Sequence, residues 1–335
     1  MSIRLLHTWQ AVGWTSGILL LAVGEGLCSR LHTNLEIVMT SILRHETREK
    51  VDATMEAMNS LCWHVTTDCN LNCLHCLSGA RRLRRELTAD EALLVLSNAH
   101  GLGVRKVGFS GGEPLLRQDL KQLIDRSVDY GMQVSVTTNG LLLDARWLDF
   151  LVARFVKIKI SLDGPRSVHD YIRGDGAFDR AVRAVRSAVA ASANIEVNCV
   201  ITSALMPHLQ EFYALVDSLK VTRIVFLSFV PRESGALHDH LQIGRSGIDQ
   251  VLSVGQQYIG HQPSLCSEIN DYLSGSGKLV VEPDGELVIR GLIQSDDVCL
   301  GTALDSAAFS AALNSSPPDD HVLLVPEPLC SHSFV

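Results

Sequence analysis

The chain of 335 residues has no long basic run, no long apolar run and no fourth cysteine beside its densest cysteine group. Each lack narrows the field. Net charge is −8 at neutral pH, so a nucleic-acid partner has little electrostatic support. The apolar stretch from Gly17 to Val23 is too short to span a bilayer, and no membrane partner is expected. Gly13, Thr15, Ser16 and Gly17 interrupt what would be a signal-peptide core behind Arg4, and no A-x-A site follows. The expectation is a reducing, cytoplasmic setting. Nine cysteines, odd in number and unevenly spaced, do not fit a secreted disulfide framework. No internal repeat stands out. Hydrophobic residues make up 46% and charged residues 20%, a mix that suits one large globular domain with flanking pieces.

What is present is more telling. Cys69, Cys73 and Cys76 stand as C-x3-C-x2-C within TTDCNLNCLHCLSG. Thiolates packed so closely form a soft-metal ligand set. Tetrahedral zinc would need a fourth ligand, which His64 or His75 could supply. An iron–sulfur cube takes one cysteine per iron, so three leave one iron open to a non-protein ligand. Downstream stands FSGGEPLL, with Gly111, Gly112, Glu113 and Pro114. Paired glycines allow close backbone approach to a ligand, and Glu113 offers an acceptor for an ammonium group. A plain turn would also use Gly-Gly and Glu-Pro.

Residues 59–258 alternate strand and helix signals, the signature of β/α units around a parallel sheet. Strands are predicted at Leu61–Thr67, Lys106–Ser110, Gln133–Thr138, Val156–Leu162, Ile195–Thr202 and Arg223–Val230. Thr88 and Glu91 form a capping box for a helix that stops near Gly101. Further helices are predicted from about Arg117 to Tyr130, Ala145 to Arg154, around Phe178–Val189, and Leu209 to Leu219. Six such units fit an α/β fold, a partial (β/α)6 barrel. The cysteines follow the first strand, GGEP the second, TTNG the third and SLDG the fourth, so every polar cluster falls on the carboxyl rim.

Inside the strands, Gln133, Ser135 and Thr137 alternate with Val134 and Val136. Lys157, Lys159 and Ser161 alternate with Ile158 and Ile160, and Glu196 and Asn198 with Val197 and Cys199. Helices cover the apolar face, so the polar set is expected to line an open lumen for a polar ligand. An amphipathic sheet in another fold would show the same alternation. Beyond residue 258 the character changes. EPDGEL, between Leu279–Val281 and Leu287–Ile289, signals a hairpin. The tail after Asn314, rich in Ser, Pro and Asp, reads as loop-like. Residues 1–58 carry helical stretches without a readable motif.

The cysteine triplet and GGEP together resemble the radical S-adenosylmethionine (SAM) superfamily, over about residues 60–230. The resemblance implies that Cys69, Cys73 and Cys76 hold a [4Fe–4S] cluster whose fourth iron takes the methionine part of SAM. His75 matches a position near the adenine, and GGEP (Gly111, Gly112, Glu113, Pro114) the stretch facing the SAM amino group. Ser161 and Asn198 match polar residues that serve its ribose and carboxylate, against the plainer reading of ordinary strand-end hydrogen bonds.

SLDGPRSVHDYIRGDGAFDRAVRAVRS and VNCVITSA are similar to the branch with a SPASM or Twitch extension. Cys266 and Gly285 match its first two landmarks, but Arg290 stands where a cysteine is expected, and only Cys299 and Cys330 remain. Guanidinium has no lone pair to offer a metal. Residues 259–335 therefore read as a degenerate Twitch-like, small C-terminal α+β cap, flanking a core at 59–258 and an N-terminal extension at 1–58.

The implied reaction is reductive cleavage of SAM, with electrons from flavodoxin or ferredoxin, and hydrogen abstraction from a C–H bond. The expected substrate is a small polar natural-product intermediate: a sugar, an aminocyclitol or a nucleoside-like molecule. A precursor peptide, hence a maturase, is the alternative, and a non-catalytic iron–sulfur or zinc scaffold is the other.

Overall fold

Period-two alternation in the strands becomes a sheet with one oily and one polar face in the computed structural model, which describes residues 60–77, 85–261, 266–270, 278–290 and 297–314. Strands β1 (Ser60–Thr66), β2 (Lys106–Gly111), β3 (Gln133–Thr138), β4 (Lys157–Ser161), β5 (Ile195–Ile201), β6 (Arg223–Ser228) and β7 (Cys266–Asn270) run parallel, each beside the next. Helices connect them, as parallel neighbours require. The result is an α/β partial barrel. Val134, Val136, Ile158, Ile160, Val197 and Cys199 are buried beneath the helices. Each such aliphatic residue contributes roughly 1.5–3 kcal/mol by leaving water. Ser135, Thr137, Lys157 and Lys159, on the opposite face, stay half-buried along an open lumen.

The carboxy-terminal strands extend this sheet. β8 (Lys278–Val281) pairs in parallel with β1, and β9 (Glu286–Arg290) and β10 (Val298–Thr302) follow antiparallel. The full order is β10-β9-β8-β1-β2-β3-β4-β5-β6-β7. The Asp284-Gly285 turn works as expected: Gly285 has φ +89°, and the Asp284 carboxylate accepts from Glu286 N at 3.1 Å. The C-terminal α+β piece is thus tied edge-on to β1, with helix Ser306–Asn314 beyond it.

Several local expectations shift. The helix expected from Arg117 begins at Leu120, because Pro114–Leu116 forms a 3-10 turn and the Arg117 side chain is used elsewhere. The helix expected to reach Arg154 ends at Val152, and Phe155 turns into the left-handed region at φ 54°. Helix Arg166–Arg173 and strands β7 and β10 were not anticipated. Helix Arg245–His261 runs through the expected boundary at 258/259, because its amphipathic pattern continues past it. The Thr88–Glu91 capping box forms as read. Residues 1–58, the tail after Asn314 and Cys330 lie outside the described residues. No described helix is long and apolar enough to cross a membrane.

Candidate active site on the carboxyl rim

The loop after β1 carries Cys69, Cys73 and Cys76, and its base is pinned by buried or half-buried polar groups. One Glu86 carboxylate oxygen accepts from Thr67 N at 2.7 Å and from the Thr66 and Thr67 hydroxyls at 2.8 and 3.0 Å. Arg117 donates to Val65 O at 2.6 Å and Leu87 O at 3.0 Å while paired with Asp119. Further along, Leu71 N donates to Cys69 Sγ at 3.4 Å, and Leu74 N to Ile172 O at 2.9 Å. Gly235 N, in the segment after β6, donates to Cys76 O at 3.2 Å.

Gly111 and Gly112 serve this loop. Gly112 N donates to Thr66 O at 2.8 Å and Glu113 N to Asp68 O at 2.7 Å. A Cβ on Gly111 would lie 2.5 Å from Thr66 O, and one on Gly112 only 2.1 Å from Asp68 O. The close approach expected toward a ligand is made instead by the chain's own backbone. Pro114 opens the 3-10 turn that Glu113 caps.

Glu113 likewise faces protein. Its fully buried carboxylate accepts from Thr138 Oγ1 at 2.7 Å, Asn139 N at 2.8 Å and Leu115 N at 3.2 Å. Burial raises its pKa, opposed by those three donors. Asn139 Nδ2 in turn donates to Asn70 Oδ1 at 2.7 Å, joining the TTNG turn to the cysteine loop. Glu113 therefore straps β2 to β3; two of the donors share Oε1, and Oε2 takes Asn139 N alone.

Asp163, of SLDG, is the hub that sequence reasoning missed. It is fully buried and accepts from Arg173 Nε at 2.5 Å, Val200 N at 3.0 Å and His75 Nε2 at 2.8 Å. Burial would raise its carboxyl pKa, but Arg173 and then His75 hold it well below the usual range. Arg173 Nη1 also reaches Cys73 Sγ at 4.0 Å. Burial pushes the Cys73 thiol up to about 11, and Arg173 is the cation that opposes this. Nearby, His169 Nδ1 accepts from Asp163 N at 3.1 Å, and burial lowers its pKa to about 4, so the ring is neutral. The signal for this hub was present: a strand-end Asp with His and Arg on the following segment.

Ser161 and Asn198 lie side by side in register at the top of β4 and β5, both buried. Asn198 Oδ1 has no hydrogen-bond partner. An unsatisfied buried acceptor costs about 1–3 kcal/mol, so a ligand donor is the natural complement. Among the described residues no three His, Cys, Asp or Glu side chains converge on one metal-ion position. His64 bonds Glu282 at 3.2 Å and His75 bonds Asp163, so both candidate fourth zinc ligands are engaged. Three loop thiols fit a cube ligated by one cysteine per iron, which leaves its fourth iron to a non-protein ligand. Of the more distant cysteines, Cys299 is exposed on β10 and Cys266 opens β7.

Residues 63–218 match the sequence model described as the Radical SAM superfamily. The chain is 28% identical over 286 residues to the mycofactocin maturase MftC of Mycolicibacterium smegmatis, covering 78% of this chain and 71% of that protein. It is 34% identical over 184 residues to the mycofactocin maturase MftC of Mycobacterium tuberculosis strain CDC 1551, covering 52% of this chain and 47% of that one. The chain thus spans about half the length of that second relative. Among solved structures, Streptococcus suis SuiB bound to precursor peptide SuiA superposes with a TM-score of 0.58 at 16% identity. That likeness covers 68% of this chain and 58% of SuiB, and it is one of fold.

Proposed function

The domain of residues 63–218 belongs to the radical SAM superfamily, and from that premise we propose that the chain is a maturase of a ribosomally made peptide. The observation that carries the chemical class is the rim itself: the cysteine loop, the GGEP strap and the Ser161–Asn198 pair all stand at the carboxyl ends of neighbouring strands. The maturase reading is supported by two of the relatives, which are named as mycofactocin maturases. It displaces the small sugar, aminocyclitol or nucleoside-like substrate expected from the sequence.

The family's cofactors, a [4Fe–4S] cluster and SAM, supply a carbon radical able to take hydrogen from an unactivated C–H bond. Cys69, Cys73 and Cys76 would hold the cluster. Asp163 and Arg173 hold the loop's far side in place, and Glu113 and Asn139 its near side. Ser161 and Asn198 would bind polar groups of SAM, with Asn198 Oδ1 as an acceptor awaiting a donor. Electrons would come from an external donor such as flavodoxin or ferredoxin. In this reading residues 1–58 are an extension of unassigned role, 59–258 the core and 259–335 a degenerate Twitch-like region without its own cluster. The working compartment would be reducing and cytoplasmic.

Co-expression with a short peptide encoded beside the gene tests the substrate class. Mass spectrometry should show a modified peptide with the intact chain and none with the triple change Cys69→Ala, Cys73→Ala, Cys76→Ala. An unmodified peptide together with a consumed small metabolite would refute the maturase reading.

A further inference from the structure

Three consecutive residues of the cysteine loop are gripped by three different groups. Leu74 N donates to Ile172 O at 2.9 Å, His75 Nε2 bonds Asp163 Oδ2 at 2.8 Å, and Arg173 Nη1 reaches Cys73 Sγ at 4.0 Å. The first two are short bonds to a backbone carbonyl and a carboxylate, and they place the loop. The third is long for placement, but it falls on a sulfur and has a full positive charge behind it.

Helix Arg166–Arg173 ends at this arginine, and Gly174 turns the chain away at φ +107°. The same helix end supplies Ile172 O and the Arg173 side chain, so loop and guanidinium share one support. Arg173 and Asp163 are both buried. A buried cation is strongly unfavourable unless paired, and Asp163 Oδ2 pairs it by accepting from Nε at 2.5 Å. The guanidinium is a rigid plane, so a bond at Nε also fixes where Nη1 points. Asp163 therefore aims the cation as well as balancing it. Its own charge acts against that of Arg173 at the sulfur, but Arg173 is the partner in contact, and Asp163 is also bonded by His75 and Val200 N.

Reduction adds one negative charge to an iron–sulfur cluster. A hydrogen bond or a cation at a ligand sulfur favours the reduced state, and more so in a buried, low-dielectric setting. We propose that Arg173 is a positioning residue for electron entry: its guanidinium, aimed by Asp163 at the Cys73 sulfur, raises the reduction potential of the cluster that Cys69, Cys73 and Cys76 hold. The external donor is oxidised by one electron and the cluster is reduced by one, with no proton or atom transferred. This role goes beyond the maturase reading, since it is the same for any substrate.

The test is a reductive titration of the anaerobically reconstituted full chain with dithionite, without SAM, followed by electron paramagnetic resonance, with iron content and circular dichroism read alongside. Arg173→Gln and Arg173→Met remove the charge, and Gln keeps a donor for Asp163. Each should make reduction about tenfold less favourable, the size of a hydrogen bond to a charged group, which is a fall of about 59 mV for one electron. Arg173→Lys restores the charge and should recover most of that fall. Arg166→Met, on the same helix but in an exposed pair with Asp179, should leave the potential where it is in the parent. A parental potential in the Gln or Met variant overturns the proposal. Loss of the cluster from both neutral variants, with a parental potential in Arg173→Lys, assigns the charge to holding the cluster and overturns it too. Neither outcome touches the maturase reading, which is judged on the modified peptide.

Discussion

Two buried carboxylates, Asp163 at the rim and Glu196 in the lumen, are treated in opposite ways. Asp163 has an arginine, a histidine and a backbone amide arranged around it, and every contact stays within the protein. Glu196 is approached by Lys157, Lys159 and Arg223, and the two lysines stand partly open. The Asp163 corner of the rim is thus closed upon itself, whereas Asn198 Oδ1 on the same rim is left without a partner. The contrast teaches that a buried carboxylate is compensated in two ways, by an enclosed set of donors that also fixes the cysteine loop, or by cations that stay partly in contact with water.

Breaking the rim should have the largest effect. Asp163→Asn strands the buried Arg173 charge and should cost about 3–5 kcal/mol in chemical denaturation. Iron retention should fall with it, because Arg173 and His75 then lose the anchor that holds the cysteine loop. Next comes Glu113→Ala, which leaves the Thr138 and Asn139 donors unpaired and should cost about 1–3 kcal/mol for each group left unsatisfied.

The pH dependence of Glu113 has a definite sign. Its folded pKa lies above the unfolded value, so its contribution is fully present below the unfolded pKa and is lost as pH rises through the folded one. Glu113→Gln should therefore gain stability relative to the parent as pH is raised through that window. A difference that stays flat with pH would refute the assignment.

The rim and lumen also differ in how far they were legible. Strand limits came within a residue or two because alternation is local, and Gln133–Thr138 matched fully. The cysteine loop is also a local pattern. Asp163 could not be assigned a partner from the sequence, since His75 and Val200 approach it from segments 88 and 37 residues away. The glycine pair was read toward a ligand because sequence shows that a Cβ is missing and not what would strike it. The Asp-Gly hairpin was readable, but its docking against β1, which brings Glu282 to His64, depends on sheet pairing across the whole chain. Helix Arg166–Arg173 was passed over because it is short and largely polar behind Pro165.

In the lumen, Glu196→Gln should change stability by less than about 1 kcal/mol, because the released cations are partly solvated. A loss matching that of Asp163→Asn would erase the contrast between the two carboxylates. The smallest effect is expected at exposed Cys299. Cys299→Ala should stay within about 0.5 kcal/mol of the parent. It should leave iron at about four per chain; loss of iron there would place a second cluster in the C-terminal strands.

The most direct test is the yield of 5′-deoxyadenosine from the anaerobically reconstituted chain given SAM and dithionite. The account predicts steady formation by the parent protein and none by the variant with Cys69, Cys73 and Cys76 all changed to alanine. A parent chain that binds its full iron and SAM yet releases no 5′-deoxyadenosine would contradict it.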